Sequence, residues 1–162
     1  MLEVKPFKIA ISDEAVADLK TRLGHARWSH AITNDWSRGQ PASLIMELTD
    51  QWKNKYDWRK HEAGLNHYPQ FMTKIDGQPI HFVHVKSKEP DAFPLILSHG
   101  WPGSFAEFLG MVGPLTDPKA HGLDASIAFD VVIPSLPGFG FSSPMTAPGW
   151  DSARTARAWD TL

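Results

Sequence analysis

Two short apolar runs constrain the fold most: LILS (Leu95–Ser98) and FDVVIP (Phe129–Pro134). Each is too short for a buried helix, and each has the continuous apolar character of a strand covered on both faces. Each runs into a loop rich in glycine and proline, HGWPGS and SLPGFGFSSP, and each loop leads to a helical pattern. The first helix is predicted over 104–113, with Ser104 and Glu107 at capping-box spacing and Phe105, Phe108, Leu109 and Val112 on its apolar face. The second is DSARTARAWDTL, which Asp151 is placed to cap. Strand, loop, helix, strand, loop, helix is an α/β pattern with a parallel sheet.

Upstream the period changes, and the chain divides near residue 70 into segments 1–70 and 71–162. FMTKIDGQPIHFVHV reads as two strands joined at Asp76-Gly77, although Gln78-Pro79 blurs the length of the turn. Before residue 70 the signals are helical. Ser12 is a good N-cap for a helix over 13–23, with Val16, Leu19 and Leu23 on one face. Residues 28–40 read as an irregular meander. Pro41 suits the first turn of a helix carrying Leu44, Leu48 and Trp52, and a shorter helical piece covers 59–65. Four of the seven tryptophans, Trp28, Trp36, Trp52 and Trp58, fall in this charged segment. Such a segment either lies across another surface with its rings covered or forms a small core of its own.

The rest of the composition excludes more than it assigns. With 162 residues and a formal net charge of -2, there is no electrostatic case for nucleic acid or an anionic membrane surface. There are no cysteines, so disulfides and thiolate sites are excluded and a reducing compartment is the simplest reading. No apolar run approaches the roughly 18 residues of a membrane span, and the N-terminus has no apolar signal region. A cytoplasmic protein is the expectation.

HGWPGS is the stretch that looks most like chemistry. Pro102 has no N–H and restricts Trp101 to extended backbone, while Gly100 and Gly103 allow turning where side chains would clash. The donor that this leaves facing outward is the Trp101 backbone N–H, at the C-terminal end of a strand, where α/β sheets place ligands. Aimed at a tetrahedral oxyanion, one such donor contributes about 3–4 kcal/mol. The alternative is a plain strand-to-helix turn punctuated by glycine and proline.

HG-x-PG after an apolar strand, followed by DVVIPSLPGFGFS, resembles the α/β-hydrolase core. The upstream sequence narrows the likeness. Asp35-Trp36, Tyr56-Asp57-Trp58-Arg59, Glu62, Leu65-Asn66, Pro69, Phe71, Ile75-Asp76-Gly77, Ile80-His81-Phe82 and His84 resemble the microsomal-type epoxide hydrolases, including the juvenile-hormone and bacterial members. The similarity covers nearly the whole chain, in order. It implies a helical meander domain followed by the first strands of an α/β-hydrolase sheet.

The resemblance also implies a reaction. An aspartate opens the epoxide to give an alkyl-enzyme ester, and water activated by a histidine and an acidic partner hydrolyses it. Two lid tyrosines hydrogen-bond the epoxide oxygen. In the family the nucleophile sits in a Gly-Gly-Asp-Trp-Gly elbow after the helix that begins near Asp151, so elbow, lid, acid and histidine are expected beyond Leu162. The 162 residues would then supply half of the oxyanion hole through the Trp101 N–H and be inactive alone. Trp101, Pro102 and Phe139 are the expected substrate-pocket residues, for a small apolar epoxide, and no cofactor is implied. The truncated sheet would need its C-terminal half or a second chain, since Leu95, Ile96 and Leu97 would present an apolar edge.

Other residues invite simpler readings. His99 sits at a strand end and reads as a structural imidazole holding the loop. His81 and His84, three apart on a strand, point to opposite faces and cannot share a metal. Asp130 precedes a strand, and Asp151 fits a cap. Tyr56 and Tyr68 lie in no lid, and Ser98, Ser104 and Ser142 lie in no G-x-S-x-G elbow. Two rivals remain: another α/β-hydrolase (dehalogenase, esterase or peptidase), or a non-catalytic binding module.

Overall fold

The computed structural model describes residues 2–162. Its sheet has the strands β1 (Lys5–Phe7), β2 (Gln70–Ile75), β3 (Gln78–Val85), β4 (Phe93–Ile96) and β5 (Phe129–Pro134), in the order β1-β2-β3-β5-β4. The helices are α1 (Asp13–Gly24), α2 (Ala42–Asn54), α3 (Trp58–Leu65), α4 (Leu109–Thr116) and α5 (Ser152–Thr161). Backbone contacts divide the described chain into a helical unit, Ile9–Gly64, and a sheet unit made of 2–8 with Leu65–Leu162.

The sheet is mixed: the LILS and FDVVIP strands pair parallel and the Asp76-Gly77 hairpin antiparallel, both as expected, and the two parts join through an antiparallel β3–β5 ladder. Only β4 and β5 pair parallel, joined by a crossover through α4. The pairs β1–β2, β2–β3 and β3–β5 are antiparallel. For β2–β3 the cause is the turn. Two residues, Asp76 at φ 51° and Gly77 at φ 79°, reverse the chain, and both are left-handed as a type I′ hairpin requires. Gln78 therefore opens β3 opposite Ile75, and Pro79 pairs with Lys74. A Cβ at Gly77 meets nothing within 4 Å, so its cost is backbone strain alone. Gly77→Ala is expected to lower stability by about 1–2 kcal/mol in urea unfolding. An unchanged midpoint would mean that the turn has rearranged.

The sheet unit carries the core. Ile80, Val83, Val131 and Ile133 are fully buried, with Phe105 and Val112 also covered. Ala158 of α5 joins Ile75 and Ile80, and Trp150 and Trp159 pack against that cluster. Each large apolar side chain so buried contributes about 1.5–3 kcal/mol. β4 differs from the strand expected of LILS. Its ladder runs over 93–96, continued by the Leu97 N–H to the Val132 carbonyl at 2.9 Å. It lies at the sheet edge, with Phe93 59% and Ile96 37% exposed, so it is not covered on both faces.

In the helical unit Ser12 caps α1, its Oγ accepting the Ala15 N–H at 3.2 Å. Pro41 stands one residue earlier than expected, at the N-cap of α2. The Glu62 carboxylate accepts the Ile11 N–H at 2.7 Å and pairs with Arg59, which also reaches Asp13. The Ile11 N–H and then Arg59 hold Glu62 below the usual carboxylate range. Ile9 and Pro41 are the buried apolar side chains among residues 9–64, while Trp28, Trp36 and Trp52 stay exposed. The tryptophans thus form no core of their own within the described residues.

Candidate active site

The backbone leaves β4 through Ser98, His99 and Gly100, and the Gly103 N–H donates to the Gly100 carbonyl at 2.7 Å to close a turn. The Trp101–Pro102 bond inside it is cis. The Ser104–Glu107 capping box forms as the sequence predicts, with the Ser104 N–H on Glu107 Oε1 at 3.0 Å and the Ala106 N–H on Ser104 Oγ at 3.3 Å. Its helix begins as a 3₁₀ turn, Phe105–Phe108, before α4. The box explains Gly103, where a Cβ would collide with the Glu107 carboxylate. At Gly100 an added Cβ meets nothing within 4 Å.

His99 is 4% exposed and spans two loops. Its Nε2 accepts the Leu136 N–H at 3.0 Å, so the ring proton sits on Nδ1, which faces the Gly100 carbonyl at 3.2 Å. The imidazole also meets the Phe139 ring edge-on at 5.8 Å. The second loop is anchored again at its ends. Ser135 N–H donates to the His81 carbonyl at 2.8 Å, and the His81 N–H donates to Ser142 Oγ at 3.0 Å. The His81 ring lies between Ser135 Oγ and Gln70 Oε1, each at 2.9 Å. Burial pushes this imidazole down to about 4, from an ordinary 6.5. No group of metal-ligating side chains forms among the described residues.

Between the two loops and the start of α5 lies a cavity of about 480 Å³. His99 and Gly100 line it from the first loop, Leu136, Pro137 and Phe139 from the second, and Trp150, Asp151, Ser152, Thr155 and Trp159 from the helix. Of the three expected pocket residues, only Phe139 is in this lining. Trp101 is 83% exposed, and neither it nor Pro102 lines the cavity. The Trp101 N–H, one residue past Gly100, makes no hydrogen bond among the described residues. Asp151 caps α5, its Oδ1 accepting the Arg154 N–H at 2.7 Å. Asp130 lies within β5 rather than before it and accepts the Ser87 N–H at 2.7 Å.

Sequence reasoning missed the helical wall. Ser152, Thr155 and Trp159 fall at i, i+3 and i+7, one face of a helix, and that spacing was the available signal. Trp159 Nε1–H donates to Ser98 Oγ at 3.2 Å, tying this wall to the end of β4.

A strand ending in a loop with an unengaged N–H, a second loop alongside and a helix across the gap are the arrangement expected of an α/β-hydrolase, and solved structures of that class superpose on it. Comparison with known proteins narrows the class. Residues 4–108 match the family described as "Epoxide hydrolase N terminus". A Stigmatella aurantiaca protein named for epoxide hydrolysis is 51% identical over 160 residues, covering 98% of this chain and 36% of the relative. Epoxide hydrolase 1 of Oryctolagus cuniculus is 40% identical over 164 residues, covering 98% and 36%. The crystal structure of juvenile hormone epoxide hydrolase from Bombyx mori superposes with a TM-score of 0.86 at 31% identity, over 100% of this chain and 43% of that one. The chain belongs to the epoxide hydrolase family. It spans about a third of the length of the curated relatives it matches. No helix among the described residues is long and apolar enough to cross a membrane.

Proposed function

We propose that this chain takes part in hydrolysis of a small apolar epoxide to a vicinal diol, and that it supplies half of the oxyanion hole. The observation that carries this reading is the unengaged Trp101 N–H beside Gly100, which lines the cavity. In the family's chemistry a carboxylate attacks an epoxide carbon, the C–O bond breaks and a covalent ester forms. Activated water then adds to the ester carbonyl, and the oxyanion produced needs preorganised donors. The Trp101 N–H is one such donor. Leu136, Pro137, Phe139, Trp150 and Trp159 offer apolar surface to a substrate's hydrocarbon part. No residue of these 162 is assigned as nucleophile, acid or base.

The division of labour is testable with styrene oxide as probe. The purified 162-residue chain is expected to form diol no faster than buffer does. Supplying the nucleophile-bearing remainder of the family fold, fused or as a second fragment, is expected to give turnover. A single turnover in ¹⁸O-water should leave unlabelled diol, its new oxygen coming from the enzyme carboxylate. Diol formation by the 162 residues alone would overturn the assignment, and ester cleavage without epoxide turnover by the completed enzyme would favour an esterase.

A further inference from the structure

We propose that His81, a residue the reaction does not use, is a positioning residue that sets the Leu136–Phe139 wall of the cavity through Ser135 and Ser142. The bonds form a closed circuit. Gln70 Nε2 donates to the Leu65 carbonyl at 2.9 Å, which fixes Gln70 Oε1 as an acceptor. His81 Nε2 therefore carries the ring proton and donates to Gln70, and Nδ1 accepts from the Ser135 hydroxyl. The His81 N–H donates to Ser142 Oγ, which donates in turn to the Ser135 carbonyl at 2.8 Å. One imidazole and its own backbone thus hold both ends of the loop that carries the wall. His99 holds the same loop one residue past Ser135, at the Leu136 N–H.

The circuit works only with a neutral ring. A proton on Nδ1 removes the acceptor of the Ser135 hydroxyl and puts a cation inside a collar of Phe7, Phe105 and Phe141, whose rings lie 4.9–5.2 Å from it. No charged group among the described residues offsets it. Lys5 of β1 is exposed and pairs with Glu3, Glu107 takes the Ser104 N–H, and Asp130 of β5 takes the Ser87 N–H. Lys74 of β2 is exposed, and His84 of β3 meets Phe71. Protonation of His81 therefore releases the loop ends. The clamp stands on these contacts alone, whereas its importance for turnover rests on the proposed reading of the cavity.

The test is an NMR pH titration of the 162-residue chain with ¹⁵N-labelled histidine rings and backbone amides. At neutral pH the His81 ring should show the Nε2–H tautomer. On acidification the Ser135, Leu136, Phe139 and Ser142 amides should shift with the His81 ring, at one midpoint near 4. His81→Gln, which can donate to Gln70 and accept from Ser135 at any pH, should keep these amides near their wild-type positions and abolish the step. His81→Phe should displace them at every pH while the Thr73–Gln78 hairpin amides stay in place. Loop amides indifferent to His81 ionisation overturn the proposal, as does a His81→Phe chain with an unmoved loop. Should His81→Phe not fold, the wild-type titration and His81→Gln decide. No step depends on diol formation, so inactivity toward epoxides leaves the clamp standing, and a failed clamp leaves the proposed reaction untouched.

Discussion

Replacing the Gly100–Trp101 amide by an ester, which deletes one N–H and keeps the indole, is expected to lower kcat of a completed, active enzyme by about 10²–10³. The loss corresponds to the roughly 3–4 kcal/mol that one preorganised oxyanion donor supplies. It should fall on kcat, because the donor strengthens its bond only as charge develops on the ester oxygen. Trp101→Ala is the control. The indole is 83% exposed and outside the cavity lining, so its removal should cost less than about tenfold. The Gly100 carbonyl, which accepts from Gly103, survives the ester, so the turn should persist. Steady-state kinetics on both variants checks this, and equal, negligible losses would reduce HGWPGS to a turn.

Acid is expected to weaken the fold by a comparable amount. Burial lowers His81 from 6.5 to about 4, so between these values the unfolded chain holds a proton that the folded chain does not. Stability therefore falls as pH drops. The contribution is whole above pH 6.5 and almost gone at pH 4, a loss of about 3 kcal/mol. Urea unfolding at pH 7, 5.5 and 4 should show it, and His81→Gln should flatten that part of the profile. A wild-type curve level down to pH 4 would mean that the imidazole is solvated.

What the sequence revealed depended on whether the signal was local. Ser12 and Ser104 sit at caps, and Asp76-Gly77 builds a two-residue turn, because each effect spans only three or four residues. β1 escaped notice because three residues, Lys5-Pro6-Phe7, are too few to show alternation. How the hairpin joins the parallel pair went unread, since the antiparallel β3–β5 pairing links residues some fifty apart and leaves no mark in either segment. The site divided the same way. Both loops of the cavity could be read from glycine and proline, whereas its Trp150–Trp159 wall required knowing where α5 packs. Strand alternation removed a shared metal for His81 and His84, but nothing in IHFVH announces Gln70 and Ser135 as the neighbours of His81.

The short pairing of β1 with β2 has a topological meaning. Phe7 sits opposite Gln70, so the chain departs from and returns to adjacent positions in the sheet. Residues 9–64 are in effect a guest spliced into a hairpin of the host. Closing so long a loop costs only a few kcal/mol more than closing a short one, since the penalty grows as the logarithm of length. A change of length within this segment would therefore leave β1 and β2 in register, the tolerance expected of insertions whose ends lie side by side.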